Sequence, residues 1–145
     1  MNIENIKIVS NNISYGLPPG RDEEVEQHLA IFSTGKVWCD RFVYGDGPGY
    51  GDGSGDGFDY ERKNRDEVFI GEEAAARILE HIDSFVRSYQ PMFVTDVGKW
   101  QMEVSFNDGE KTVIKGPLIG AAFAEDLDLS EMIREEIPLE DLFVF

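Results

Sequence analysis

The sequence predicts an α+β protein: an antiparallel β-sheet built from two hairpins plus additional strands, with one face covered by a main helix and a short C-terminal helix. Three observations support this prediction. Two pairs of β-prone segments are each joined by a short glycine-containing turn, at Ser33-Thr34-Gly35 and at Asn107-Asp108-Gly109. A long segment between the two pairs has apolar residues at spacings of three and four, the period of an amphipathic helix. The order of these elements does not show the strand-helix alternation of a parallel nucleotide-binding sheet.

The first half of the chain predicts four strands. Residues 3–9 form a β-prone run, the first hairpin covers residues 26–44, and RKNRDEVFI predicts the strand that re-enters the sheet. Strand side chains alternate between faces. The second arm of the hairpin therefore has Trp38, Asp40, Phe42 and Tyr44 on one face and Val37, Cys39, Arg41 and Val43 on the other. We expect the aromatic residues to pack in the core.

The main helix is predicted from about Glu72 to Tyr89. Gly71 precedes it, the acidic pair Glu72 and Glu73 favours the positive end of the helix dipole, and Pro91 prevents its continuation. Its apolar face comprises Ala75, Ile78, Leu79, Ile82, Phe85, Val86 and Tyr89.

The remainder of the chain predicts a second hairpin and a short helix. Trp100, Met102, Val104 and Phe106 alternate with polar residues, and EKTVIKGPL is the partner strand. The segment AEDLDLSEMIREEI predicts an acidic helix that ends at Pro138, and we expect LEDLFVF to pack back against the domain.

Composition predicts a single domain over residues 1–145, with residues 45–60 as a flexible Gly/Asp-rich insert within it. The formal net charge of -16 opposes direct binding to nucleic acid or to anionic membranes. The single cysteine, Cys39, excludes an internal disulfide, and no apolar run approaches the length of a membrane span. We therefore expect a cytoplasmic protein that binds neither nucleic acid nor membrane directly.

The insert GDGPGYGDGSGDG raises the possibility of a calcium site. Asp52, Ser54 and Asp56, with Gly57, match the opening of an EF-hand loop. The match then fails, because Lys63 stands at the twelfth position, where a bidentate Glu is needed. A mobile loop between two strands is the simpler interpretation, and we expect no cofactor, with calcium as the alternative.

Catalytic motifs are absent from the sequence. His28 and His81 lie on different predicted elements, and neither forms a recognisable motif with a nucleophile. A small enzyme with a cryptic pocket remains a second alternative, which clustered, inward-facing polar residues in the structure would favour.

The acidic residues are the strongest functional signal. We predict that a negative patch captures a basic protein by electrostatic attraction. The candidate partner-binding residues are Asp22, Glu23, Glu24, Glu26, Glu125, Asp126, Asp128, Glu131, Glu135 and Glu136. The predicted function is a small acidic interaction protein that binds, and in the stronger version inhibits, a basic nucleic-acid-processing or defence protein, acting as a nucleic-acid mimic.

Three stretches, MFVTDVGKW, QMEVSFNDGEKTVIKGPL and LSEMIREEIPLEDLFVF, resemble a set of uncharacterised small bacterial and mobile-element proteins. The resemblance extends along the chain, with the glycine-rich segment as a variable insert. It implies a bacterial or phage accessory protein of α+β class and transfers no functional residue.

Overall fold

The computed structural model of this protein describes residues 3–11, 23–43, 61–89, 98–118, 123–124, 127–139 and 142. It confirms the predicted α+β class: six antiparallel strands form one sheet, accompanied by a main helix and a short C-terminal helix. The elements in chain order are β1 (Ile3–Asn11), β2 (Glu24–Phe32), β3 (Lys36–Val43), β4 (Glu61–Phe69), α1 (Glu72–Ser88), β5 (Gly98–Phe106), β6 (Lys111–Leu118), β7 (Phe123–Ala124), β8 (Leu127–Asp128) and α2 (Leu129–Glu136).

The strand order of the sheet is β4-β3-β2-β1-β5-β6. Strands β1 to β4 are neighbours in sequence and in space, so this half is a meander of adjacent antiparallel strands. The chain leaves the edge strand β4 through α1 and re-enters the sheet at β5, on the other side of β1. Helix α1 therefore crosses one face of the sheet, which we call the covered face.

The core lies between the covered face and the two helices. The apolar stripe of α1, with Ile78, Ile82 and Phe85, packs in one cluster with the inward residues of the central strands, such as Ile8 and Met102. The short elements β7, β8 and α2 contact one another and α1, so they belong to the same layer. In the described part of the chain no element packs on the opposite side of the sheet, which we call the open sheet face.

The first hairpin turn is held by a close approach between glycines. Gly35 has a φ of +96°, and its backbone N–H donates to the Phe32 carbonyl at 2.9 Å. A Cβ at this position would lie 2.5 Å from the Gly71 carbonyl carbon. Because the Ile70 N–H also donates to the Gly35 carbonyl, this turn anchors the junction that leads from β4 into α1.

The alternation predicted for β3 is observed, but the aromatic face is not the core face. Val37 and Cys39 are fully buried on the covered face, whereas Trp38 and Phe42 are only half-buried on the open sheet face. The prediction of core packing for these two aromatic residues is therefore wrong. Helix α1 covers the face that carries the smaller apolar residues, and period-two alternation alone does not indicate which face a helix will cover.

The C-terminal helix is shorter than the predicted segment. Residues 123–124 pair with residues 127–128 as two short strands, and α2 begins only at Leu129. The Asp128 side chain accepts a hydrogen bond from the Ser130 N–H at 3.0 Å, which is an N-cap and sets the start of the helix. After α2, Leu142 is buried in the core and its carbonyl accepts from the Arg134 side chain, and Leu139 packs against the same core. The rest of the predicted C-terminal segment LEDLFVF lies outside the described residues.

Candidate interaction surfaces

An ion pair between the two helices organises the acidic residues of the helical layer. The Arg77 guanidinium lies 3.2 Å from the Glu136 carboxylate, which joins α1 to α2. On α1, Glu73 and Glu80 lie one turn before and one turn after Arg77, on the same exposed side.

On α2, Glu131 and Glu135 lie one turn apart on the outer side, and both are exposed. Neither of them, nor Glu73 or Glu80, forms an ion pair with any residue that the structure describes. We call five acidic residues, Glu73 and Glu80 of α1 and Glu131, Glu135 and Glu136 of α2, the helical acidic surface. Arg77 binds Glu136, and the exposed Arg134 lies one turn after Glu131.

The other sequence-predicted partner-binding residues lie elsewhere. Glu23 is exposed just before β2, Asp128 caps α2, and Glu24 and Glu26 are half-buried on β2, where each contacts neighbouring side chains. Glu24 turns towards the covered face and Glu26 towards the open sheet face. Asp22, Glu125 and Asp126 lie outside the described residues, as do the candidate calcium ligands Asp52, Ser54 and Asp56.

Glu24 belongs to a group that we call the inward polar cluster, formed by Glu24, Gln27, Arg41, Asn64 and Asp66. Arg41 is buried and donates to the Asp66 carboxylate at 2.8 Å and to the Glu24 carboxylate at 3.0 Å. Gln27 donates to Glu24 at 2.8 Å, and Asn64 donates to Asp66 at 3.1 Å. Each carboxylate therefore has two donors, and the cluster ties β2, β3 and β4 together within the sheet.

Burial and charge have opposite effects on the titrating groups of this cluster. Burial lowers the pKa of Arg41, but the hydrogen bond to Asp66 and the charge of Glu24 outweigh it, and the pKa is raised. The neighbouring thiol of Cys39 has its pKa raised to about 12, chiefly by burial, with Arg41 acting in the opposite direction. Cys39 is therefore a protonated, inert core thiol.

A second set of polar contacts lies on the open sheet face. Arg65 binds Asp40 through two hydrogen bonds of 2.6 and 2.7 Å, and its guanidinium lies 4.3 Å from the ring centroid of Trp38. The hydrogen bond to Asp40 raises the pKa of Arg65. Next to this pair, His28 approaches the Glu26 carboxylate at 2.9 Å and packs on the Phe42 ring at a centroid distance of 4.6 Å.

Sequence reasoning missed both contact sets of the open sheet face. The pairing of His28 with Glu26 had a signal, because residues two apart on a strand share a face. The pairing of Asp40 with Arg65 had none, since it depends on the register between β3 and β4, which places these residues directly opposite each other.

The open sheet face also carries the lysines. All five lysines whose side chains are described, Lys7, Lys36, Lys99, Lys111 and Lys115, are exposed and alternate with inward-facing neighbours, which places them on this face. The two helices, in contrast, carry the five carboxylates of the helical acidic surface together with the exposed arginines Arg77, Arg87 and Arg134. The two sides of the described fold therefore differ in charge.

Among the described residues, no group of three or more His, Cys, Asp or Glu side chains is placed to hold a metal ion. The described helices include none that is both long and apolar enough to cross a membrane. The fold and its surfaces define the class of this protein as an α+β protein with a six-stranded antiparallel sheet and one helical layer. No family model, curated protein or solved structure matches the chain.

Proposed function

We propose that this protein is a small acidic interaction protein that binds a basic protein through its helical acidic surface. In the stronger version of the proposal it inhibits a nucleic-acid-processing or defence protein by occupying the groove in which that protein binds phosphates. The partner-binding residues are then Glu73, Glu80, Glu131, Glu135 and Glu136.

The observation that supports the proposal most directly is the convergence of these acids on one side of the fold. A net charge of -16 by itself describes only solubility and long-range attraction. Exposed carboxylates grouped on two packed helices create a local potential that steers a basic partner into contact and fixes its orientation. Glu131 and Glu135 form no ion pair with a described residue, so pairing with a partner does not require breaking an existing bridge there.

The test is the capture of a basic partner by tagged protein from nuclease-treated lysate, followed by affinity measurements over a salt series. The variant Glu131→Lys with Glu135→Lys should weaken binding about tenfold or more and flatten its salt dependence, because charge pairs across the interface are lost. The matched control is Glu4→Lys with Glu110→Lys, since both residues are exposed and lie near the two hairpin turns rather than on the helices.

The control variant changes the net charge by the same amount but leaves the helical acidic surface intact. Equal weakening by both variants would show that only total charge matters, and unchanged capture by the first variant would refute the proposed surface. The proposed surface is supported if the control variant retains binding while Glu131→Lys with Glu135→Lys loses it.

The enzyme alternative now has one observation in its favour, the inward polar cluster. Its groups are clustered and face the covered side, as that alternative requires. Each of its carboxylates is, however, already satisfied by donors from Arg41, Gln27 and Asn64, which favours a structural role. A thermal-shift screen with metabolites and with calcium tests this alternative and the calcium alternative together, since a ligand of the folded state raises the melting temperature.

A further inference from the structure

We propose that the open sheet face docks the helical acidic surface of a second copy of this chain, so that the protein associates with itself head to tail. The chain carries exposed lysines on the open sheet face and exposed acids on the helices that pack on the opposite face of the same sheet. This inference goes beyond the binding of a basic protein and does not rest on it, because it depends only on where the charges lie.

The receiving surface is the part of the open sheet face formed by β1, β5 and β6. The register places Lys99 between Asn11 and Pro117, and Lys115 opposite Gln101. We call the four lysines of these strands the lysine patch: Lys7, Lys99, Lys111 and Lys115.

The charge of this region is predominantly positive. Within residues 5–11, 99–105 and 111–117, the acidic side chain on the open sheet face is Glu103, which lies 3.3 Å from Lys111. Four lysines against one glutamate leave a local excess of positive charge in a chain whose net charge is -16. An anionic occupant is therefore the one that this surface attracts.

The lysine patch also contains apolar area. Val113 on the edge strand β6 is 49% exposed and pairs with Glu103, while Val9 on β1 is half-buried and pairs with Gln101. Protein interfaces combine apolar residues that exclude water with charged residues that set the orientation. Val113 therefore adds a small apolar contact to a surface whose attraction is mainly electrostatic.

The occupant with matching chemistry is the helical acidic surface. Glu131 and Glu135 are exposed on the outer side of a helix, and strand side chains stand roughly perpendicular to the sheet. The two sets of charges can therefore meet without a change in either backbone. The two surfaces lie on opposite sides of the fold. A docked copy therefore leaves one surface free at each end, and assembly continues beyond the dimer, as in other head-to-tail contacts.

Salt gives this mode of association a characteristic signature. At low ionic strength, about 10 mM, the Debye length of about 30 Å allows the net negative charges of the copies to repel one another. Near 150 mM it falls to about 8 Å, which screens that repulsion more than the pairs in direct contact, and near 1 M both are screened. Association should therefore be strongest at intermediate salt.

The experiment is sedimentation velocity of the full chain from about 10 µM to about 1 mM, the range in which weak complexes dissociate, at these three salt concentrations. At intermediate salt we expect the weight-average molar mass to rise with protein concentration and to exceed that of a dimer without reaching a plateau there. Lys115→Glu should abolish the rise, whereas the matched control Lys36→Glu, on the same face but on β3, should leave it unchanged.

A mixing experiment identifies the two surfaces. Glu135→Lys and Lys115→Glu should each prevent association alone, because each places like charges in contact. Mixed together they should associate again, since the acidic surface of one variant meets the lysine patch of the other. Three results would each overturn the proposal. The protein stays monomeric under all conditions, the mixture of the two variants remains monomeric, or Lys36→Glu reduces association as much as Lys115→Glu does. Lys115→Glu changes the lysine patch but leaves the helical acidic surface intact. Its capture of a basic partner therefore tests the proposed function independently of self-association.

Discussion

At the scale of single residues, burial determines the roles of the charged and nucleophilic side chains. Arg41 is buried and holds two carboxylates, while Arg65, on the open sheet face, holds one and remains in contact with solvent. The Arg65 side chain is 41% exposed, so water screens its pair with Asp40 in part, although Asp40 itself is buried. A buried charge without its partner is strongly destabilising. Arg41, with its two carboxylate partners, is therefore a position where a single substitution has a large effect.

Replacing Arg41 with Gln tests this expectation. The substitution removes the cationic partner of Glu24, whose side chain is 16% exposed, and of Asp66, whose side chain is 35% exposed. We expect the free energy of unfolding to fall by about 2 kcal/mol, less than for a fully buried pair. Urea denaturation followed by circular dichroism measures the change. The control is Arg87→Gln, which removes an exposed i,i+4 pair with Asp83 and should cost less than about 0.5 kcal/mol. Equal effects of the two substitutions would show that the cluster is not stabilising.

The thiol of Cys39 predicts a dependence on pH. Its pKa in the folded protein is about 12 against 9.0 without burial, so above pH 9 the unfolded chain loses a proton that the folded chain retains. Stability should therefore decrease as the pH rises from about 9 towards 12, by about 1.4 kcal/mol per pH unit from this group. The advantage of wild type over Cys39→Ala should shrink over this interval in denaturation experiments, and a constant difference would contradict the prediction.

At the scale of elements, close contacts determine how strands, turns and helices fit together. Gly116 on β6 lies opposite Trp100 on β5, and a Cβ there would lie 2.5 Å from the Trp100 ring. Tyr89, at the end of α1, packs on the same ring and donates to the Lys115 carbonyl at 2.6 Å. The glycine thus makes room for the contact that fixes the end of the helix on the sheet.

The turn at Gly35 gives the prediction that belongs to this scale. Gly35→Ala combines a left-handed φ with a clash against the Gly71 backbone, so we expect a loss of at least about 2 kcal/mol in the free energy of unfolding. Gly109→Ala is the comparison, because Gly109 has a similar φ of +91° but nothing within 4 Å of an added Cβ. It should cost about 1 kcal/mol. Both are measured by chemical denaturation, and a loss at Gly35 no greater than at Gly109 would refute the steric argument.

At the scale of the whole molecule, charge distribution matters more than net charge. The helical layer carries the exposed acids of the described helices, and the open sheet face carries the described lysines, so the two sides differ in surface charge. The net charge of -16 nevertheless produces repulsion within the compact state, which salt relieves.

We therefore expect the melting temperature to rise by a few degrees between about 10 mM and about 150 mM sodium chloride, as screening weakens the repulsion among the acids. The variant Glu4→Lys with Glu110→Lys changes the net charge from -16 by four units, to -12, and should show a smaller rise. Differential scanning calorimetry at low protein concentration measures both. A melting temperature that falls with salt would show that screened ion pairs outweigh the repulsion.

The sequence by itself determined the fold class, both hairpins and the main helix. These features follow from local signals: a period of two or of three to four in the apolar residues, glycine in tight turns, and proline after helices. The length of α2 was overestimated because the acidic segment before Asp128 has a composition compatible with a helix, whereas the N-cap and the strand pair starting at Phe123 depend on the folded chain.

Only the tertiary structure decided which face of the sheet the helices cover and which charges come together. Alternation assigns residues to two faces but does not show which face is buried, so the position of Trp38 could not be derived. Likewise, the Arg77–Glu136 ion pair joins residues far apart in the chain, and the strand register places Asp40 directly opposite Arg65. Long-range packing sets these distances, and no local pattern in the sequence records them.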